Sequence, residues 1–108
     1  MEQVVFSAAG GGVLSWTPDE DVILKAGYVE SGGANVVVST DPTQASGVSA
    51  GVQLNLILSS QGVFGSKVNG VPRVLDYPVR KGQTVFCATD AGAQVTLAFI
   101  SAETDHVV

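Results

Sequence analysis

The sequence predicts an all-β fold, a single-domain, jelly-roll-like antiparallel β-sandwich of about eight strands. β-branched residues dominate the apolar set, and glycine is abundant at 13 residues. No window keeps the apolar spacing of an amphipathic helix without a glycine or proline interrupting it. Short apolar runs instead recur at intervals of roughly ten residues, which is typical of sandwiches and barrels. A length of 108 residues corresponds to one domain, residues 1–108.

The first half of the chain contains the most regular strand patterns. Residues 1–12 are predicted to form an N-terminal arm and first strand that ends in three glycines, and Val13–Trp16 is the next strand. Two longer runs, Val22–Ser31 and Ala34–Thr40, are predicted to pair as a hairpin across a Ser-Gly-Gly loop. In the first of these, Val22, Leu24, Ala26 and Tyr28 form an apolar face by alternation, and Gly27 predicts a bulge or a bend.

The second half begins with a small, polar stretch, Asp41–Gly51, which predicts a long surface loop. Asn69–Gly70 is a type I′ turn signal, and residues 101–108 form a polar C-terminal tail. A hairpin loop at Asp90–Gly92 is expected to join the last two strands. The predicted strands are Val52–Ser60, a short edge strand Phe64–Val68, Val74–Val79, Thr84–Thr89 and Ala93–Ile100. The first of these alternates strictly at its start, with Val52, Leu54, Leu56 and Leu58 on the inner side.

The last strand is apolar on both faces. Alternation places Val95, Leu97 and Phe99 on one face and Ala98 and Ile100 on the other. The first face is expected to join the core, together with the clearest apolar positions of the other strands. The candidate core residues are Trp16, Leu24, Leu54, Leu56, Leu58, Cys87, Val95, Leu97 and Phe99.

The second face of this strand is a candidate oligomer interface, represented by Ala98 and Ile100. A chain so poor in large side chains has no obvious internal partner for them, so we expect a neighbouring subunit to cover them. The surface of a different protein or a loop of the same chain remains an open alternative. Charged residues make up 14% of the chain, against about 25% in typical domains, and interface cores are depleted in charge.

Charge and hydropathy exclude two classes of partner. The formal net charge is −5, and of the five basic residues only Arg80 and Lys81 are adjacent, so we expect no nucleic-acid binding. No apolar stretch approaches the roughly 18 residues of a membrane-spanning helix, so no membrane association is expected. The first residues lack the basic and apolar regions of a signal peptide, which predicts synthesis in the cytoplasm without secretion.

The sequence offers little that could support catalysis. The single histidine, His106, lies in the tail, which excludes a histidine-based metal site and disfavours a Ser-His-Asp triad. Asp19, Glu20 and Asp21 lie on a turn and could bind Ca²⁺, but acidic side chains on a turn are more commonly just solvated. Cys87 lies in an apolar run and is expected to be a buried, inert thiol. We therefore expect no catalytic residue, cofactor or metal, and no enzyme activity.

A carbohydrate-binding module is the alternative to a purely structural role. Sandwiches often serve as lectins, and sugars stack on exposed aromatic rings. Trp16 and Tyr77, each next to a proline-containing turn or strand end, are the candidate glycan contacts. Trp16 has a second interpretation as a cap on the core.

Residues 15–42 and 77–100 carry a recognisable pattern, with an aromatic-x-Pro turn before a long apolar strand. A Lys-Gly turn, an apolar strand, a small-residue hairpin and an aliphatic–aromatic pair follow near the end. The positions are Trp16–Pro18, Lys81–Gly82, Val85–Cys87, Asp90–Gly92 and Leu97–Phe99. This pattern resembles the small β-sandwich modules of tailed-bacteriophage particles, which include trimeric capsid decoration (cement) proteins and modules of head and tail fibres.

The resemblance covers roughly half of the chain and implies a structural function. It implies a homotrimer on the outer surface of the virion head that binds the major capsid protein and stabilises the shell. The same resemblance leaves a receptor-binding or carbohydrate-binding module of a phage fibre as the alternative. It supplies no catalytic residue.

Overall fold

A computed structural model describes residues 2–31, 35–41, 56–59 and 73–102. Within these ranges the chain forms eight β-strands. They are β1 Glu2–Ala8, β2 Gly12–Trp16, β3 Val22–Ser31, β4 Val36–Ser39, β5 Leu56–Ser59, β6 Arg73–Val79, β7 Val85–Thr89 and β8 Ala93–Ser101. The predicted strand Phe64–Val68, the loop Asp41–Gly51 beyond its first residue, and the predicted core residue Leu54 lie outside the described residues.

The strands form two four-stranded antiparallel sheets that pack as a sandwich. The strand order is β1-β8-β3-β6 in sheet A and β2-β7-β4-β5 in sheet B. Distant strands lie side by side in both sheets, which is the strand order of a jelly roll. The predicted fold class, an eight-stranded jelly-roll-like sandwich, is confirmed.

Two of the predicted hairpins are wrong. β3 and β4 do not pair with each other, nor do β7 and β8, because in each case the first strand and the second belong to different sheets. Among the described strands, β4 and β5 are the consecutive pair that lies side by side. A short turn between two apolar runs fits a hairpin or a connection between sheets equally well, so the local sequence does not distinguish them.

A bulge in β3 sets which of its side chains face the core. Between Leu24 and Ala26 its register with β8 shifts, and Lys25 is the extra residue of that pair. In the β3–β6 pair the extra residue of the same interval lies on β6. The bulge that Gly27 suggested therefore lies two residues earlier. Leu24 faces inward, but beyond the bulge Gly27 and Val29 take the inner positions. The simple alternation that placed Ala26 and Tyr28 on the same face as Leu24 is wrong for that reason.

The core is one layer of side chains between the sheets. Leu24 and Leu97 of sheet A and Leu58 of sheet B are fully buried. Gly27 lets the sheets come together, since a Cβ there would lie 2.6 Å from Cδ2 of Leu58. The buried cluster comprises Phe6, Val22, Leu24, Val29, Val36, Val38, Ile57, Leu58, Val79, Val85, Cys87, Val95 and Leu97. Burial of each large side chain contributes about 1.5–3 kcal/mol.

The strand β5 departs from the strict alternation that the sequence suggested. Its register with β4 shifts, so that Leu58 lies opposite Val38 while Leu56 lies opposite Ser39. Ser39 neighbours the inward-facing Val38 and therefore points outward, which places Leu56 on the outer side. Leu56 is only partly buried, whereas Ile57, the extra residue, joins the core. The expectation of Leu56 as a core residue is corrected by this irregularity.

Turns at one end of the sandwich are joined by hydrogen bonds and close backbone packing. Asp90 accepts hydrogen bonds from the backbone N–H of Asn35 (2.8 Å) and from its Nδ2 (2.7 Å), and the Asp90 N–H donates to the Asn35 carbonyl. A Cβ at Gly92 would lie 2.9 Å from the carbonyl oxygen of Ala9. The absence of a side chain at Gly92 therefore allows the β1–β2 turn to rest on the β7–β8 turn.

At the opposite end, Asp21 joins three segments of the chain. Its carboxylate accepts a hydrogen bond from the Lys81 N–H (2.8 Å), and its carbonyl accepts one from the Ala102 N–H (2.9 Å). The Gly82 N–H donates to the Pro18 carbonyl nearby. This end therefore holds the β2–β3 turn, the β6–β7 turn and the end of β8 together.

The close approach at Gly92 generates a stability prediction. Gly92→Ala places a methyl group against the Ala9 carbonyl, and we expect it to lower the free energy of unfolding by about 1–3 kcal/mol. Gly10→Ala is the matched control, because a Cβ at Gly10 meets nothing within 4 Å. Urea denaturation of both variants measures the difference, and equal stability of the two would contradict the packing described.

Candidate functional site

The outer face of sheet A carries a broad, largely uncharged surface, which we call the apolar outer face. Ala98 and Ile100, the predicted interface residues, lie on the inner strand β8 and are half-buried, Ala98 near the middle of the face and Ile100 close to the end of the strand. The register places Ala98 beside Ala26, and Ile100 beside Ile23. The apolar outer face comprises Val5, Ile23, Ala26, Tyr28, Val74, Pro78, Thr96, Ala98 and Ile100.

Two large apolar side chains of this face are exposed to solvent. Val74 on the edge strand β6 is 89% exposed, and Val5 on the edge strand β1 is 50% exposed. A charged pair lies within the face, between Ile23–Pro78 and Ala26–Val74, and is internally compensated, since Lys25 Nζ lies 3.2 Å from Asp76 Oδ1. The face therefore combines small and apolar residues with one compensated ion pair.

The outer face of sheet B differs from that of sheet A. Val37, Ser39 and Ala88 alternate with core residues and therefore point outward, yet they are 2%, 0% and 0% exposed. The centre of this second outer face is thus closed to solvent within the monomer. The large exposed apolar side chains of the described residues, Val5 and Val74, both lie on sheet A.

A second feature, which we call the aromatic cleft, opens at the end of the sandwich that Asp21 organises. It has a volume of about 270 Å³. Trp16 is the last inward-facing residue of β2, and Phe99 faces inward near the end of β8. Their ring centroids lie 4.8 Å apart at an interplanar angle of 43°. The lining residues are Glu2, Trp16, Thr17, Pro18, Asp19, Glu20, Val22 and Phe99.

The cleft combines aromatic rings with carboxylates. Glu2, Asp19 and Glu20 line it and are exposed, while Trp16 is only partly buried. None of these three carboxylates forms an ion pair with a basic side chain among the residues that the structure describes. Asp21, the third acid of the turn, is not part of the lining because its carboxylate binds the Lys81 N–H. The three acids of the turn therefore do not share one site.

Trp16 and Tyr77, the two candidate glycan contacts, lie on different strands at opposite edges of the sandwich. Trp16 belongs to β2, the edge of sheet B beside β1, whereas Tyr77 belongs to β6, the far edge of sheet A. Tyr77 faces inward opposite Leu24 and packs against the core. Its hydroxyl lies 3.3 Å from Thr40 Oγ1. The structure does not bring the two rings to one sugar-binding surface.

The remaining candidate core residues occupy the following positions. Leu24, Leu58, Cys87, Val95 and Leu97 are buried in the cluster between the sheets. Trp16 and Phe99 are partly buried and pack against that cluster at its end.

Apart from the carboxylates that line the aromatic cleft, the reactive residue types show no clustering in the described part of the chain. Cys87 is a free, buried cysteine, and its burial raises the pKa of the thiol from an ordinary value of 9.0 to about 12. No group of three or more His, Cys, Asp or Glu that could hold a metal ion occurs in the described ranges. His106 lies outside the described residues.

Most of the apolar outer face was not predicted from the sequence. Alternation identified Ala98 and Ile100, but it assigned Ala26 and Tyr28 to the inner face because the bulge at Lys25 is invisible to it. Val5 and Val74 became recognisable only when the strand order placed β1 and β6 in the same sheet as β8. The available signal for this face in the sequence was that β3 carries apolar residues on both of its faces.

Comparisons with known proteins were made by family and by sequence. Neither a scan against protein-family models nor a search of the curated proteins found a match to this chain. Among the described residues, no helix has the length and apolar character needed to cross a membrane. The fold defines the class of the protein as an eight-stranded, two-sheet β-sandwich.

The buried thiol of Cys87 generates a prediction about pH. In the unfolded chain the thiol ionises near pH 9.0, whereas in the folded protein it keeps its proton up to about pH 12. Between these values the unfolded state binds fewer protons than the folded state, so the free energy of unfolding falls as the pH rises. The stability associated with the neutral thiol is therefore complete below pH 9.0 and is lost towards pH 12.

Urea denaturation of the wild type and of Cys87→Ala, at about pH 8 and about pH 11, measures this effect. We expect the wild type to lose more stability between the two conditions than Cys87→Ala, which lacks the thiol but keeps every tyrosine and lysine. An equal loss in both proteins would show that Cys87 is not desolvated in the folded state.

Proposed function

We propose that this chain is a structural protein that self-associates through the apolar outer face. In this proposal the assembly is a homotrimer that decorates the outer surface of a phage head by binding the major capsid protein. The observation that carries it is the half-buried, uncharged centre of the face around Ala98 and Ile100. Three-fold symmetry and the capsid partner rest on the resemblance to decoration proteins, not on the geometry.

The composition of the face supports an interface between copies of the same chain. Each copy carries a formal net charge of −5, so two copies repel wherever unpaired acids meet. The charged pair within the face, Lys25 and Asp76, is compensated within one copy. The exposed acid Glu30 lies at the far end of β3, so the part of the face around Ala98 can meet a second copy without bringing like charges together.

The flatness of the face centre also supports close packing. Ala26 and Ala98 are neighbours in the register, and small side chains there let another surface approach the sheet. Ile23, Ile100 and Val74 surround them and supply apolar area. Each buried methylene group of such side chains contributes about 0.8 kcal/mol to association.

A charge at the centre of the face tests the self-association. We expect Ala98→Glu and Ile100→Glu to dissociate the assembly, because an unpaired carboxylate in an interface costs about 3 kcal/mol or more. Light scattering on an eluting chromatography peak measures the mass, which should change from three times the chain mass of 11.0 kDa to that of a single chain. Circular dichroism checks that each variant stays folded.

Ser15→Glu is the matched control. Ser15 is an exposed strand residue that lies opposite Phe86 on the outer side of sheet B. This variant introduces the same charge but should leave the assembly intact. A wild-type protein of monomeric mass at micromolar concentration would contradict the proposal, as would variants at Ala98 and Ile100 that unfold without first dissociating.

The capsid partner requires its own experiment. Mass spectrometry of density-purified phage particles from a host that encodes this chain should detect it in the head fraction at a constant ratio to the major capsid protein. Recovery in the tail fraction would favour a fibre module. Particles free of the chain would contradict a virion location while leaving the self-association test unaffected.

A further inference from the structure

We propose that the aromatic cleft binds an arginine or lysine side chain of a partner protein. The site is separate from the apolar outer face, so the inference does not depend on self-association. Its essential features are the Trp16–Phe99 ring pair within the cleft and the carboxylates of Glu2, Asp19 and Glu20 around it.

The aromatic rings supply the first part of the recognition. Trp16 is held in place by its tilted contact with Phe99, at 4.8 Å between ring centroids, and it remains partly exposed to the cleft. An indole face attracts an ammonium or guanidinium group, and it is the strongest such partner among the aromatic side chains. A planar guanidinium additionally stacks on an aromatic ring.

The carboxylates supply the second part. Three acids line one cleft of about 270 Å³, and no described basic side chain forms an ion pair with any of them. A cation that enters the cleft compensates their charge, and the net charge of −5 attracts cationic partners from a distance. A guanidinium group can donate two parallel hydrogen bonds to a carboxylate, which adds directionality.

The neighbouring backbone holds the walls of the cleft in position. Thr17 Oγ1 lies 2.8 Å from Thr84 Oγ1, and the Pro18 carbonyl accepts a hydrogen bond from the Gly82 N–H. Asp21 at the end of the same turn is bound to the Lys81 N–H. The turn that carries Asp19 and Glu20 is therefore fixed on both sides, so a ligand need not order it.

Charge favours a cation over a neutral sugar as the occupant. A sugar uses carboxylates as hydrogen-bond acceptors but leaves their charge uncompensated, whereas a basic side chain compensates it. The volume of about 270 Å³ suits a single side chain or one sugar ring, so the two occupants differ in charge rather than in size. The experiment therefore compares them directly.

The probe is the blocked tripeptide acetyl-Gly-Arg-Gly-amide, titrated at millimolar concentrations into the full chain. Trp16 is the single tryptophan of the sequence, so its fluorescence and its indole N–H resonance report on the cleft alone. The peptide with citrulline in place of arginine has the same shape without the charge, and glucose and N-acetylglucosamine represent neutral sugars. We expect saturable shifts with the arginine peptide, and shifts at least five-fold weaker with the citrulline peptide or the sugars.

Three variants connect the signal to the proposed contacts. Glu20→Gln and Asp19→Asn should each weaken binding of the arginine peptide about two- to five-fold, since each removes one exposed carboxylate. Glu30→Gln removes an exposed acid at the other end of β3 and should leave the binding unchanged. Binding should also weaken when NaCl is raised from about 50 to about 500 mM, because salt screens the charges.

The proposal is overturned if the arginine and citrulline peptides bind equally, if only the sugars shift the Trp16 signals, or if Glu30→Gln weakens binding as much as Glu20→Gln does. Absence of any shift with the arginine peptide also overturns it. The mass of the wild-type assembly is measured separately, so failure here is distinguishable from failure of the self-association.

Discussion

The single inner layer of side chains is the constraint on which the rest of the structure depends. Two sheets can share one layer only if they come close, and the absence of a side chain at Gly27 opposite the fully buried Leu58 permits that approach. Leu24 and Leu97 complete the same layer from sheet A. Most of the large aliphatic side chains lie in this inner layer. The outer face of sheet A therefore consists of a mixture of alanine, threonine and partly exposed aliphatic residues.

The strand β8 connects the two surface features. It lies between β1 and β3, so its outward residues Ala98 and Ile100 occupy the middle of the apolar outer face. Its inward residue Phe99, between them in sequence, packs on Trp16 beside the cleft. One strand therefore contributes to a broad apolar surface and to a small acidic, aromatic cleft. The two differ in the partner chemistry they suit, since the first excludes charge and the second attracts cations.

The sequence predicted the fold class and most strands because alternation and turn residues are local signals. It misplaced the β3–β4 and β7–β8 pairings because a turn between sheets and a hairpin turn share the same local chemistry. It identified Ala98 and Ile100 because β8 is regular. It missed Ala26 because the bulge at Lys25, two residues before the Gly27 that suggested one, shifts the alternation. The sequence did not predict the cleft. Trp16 and Glu2 come together through the pairing of strands far apart in sequence, and no local pattern encodes that pairing.

The pairing of β1 with β8 also has a mechanical consequence. Glu2 lies opposite Phe99, so the beginning of β1 and the end of β8 lie at the same end of the sheet. A force that pulls these two positions apart loads the antiparallel hydrogen bonds between β1 and β8 one after another, so β1 separates from β8 step by step. A force applied across the outer face of sheet A loads the hydrogen bonds of all four strands at once. The sheet is therefore weaker against a pull on the start of β1 and the end of β8 than against a force spread over its outer face.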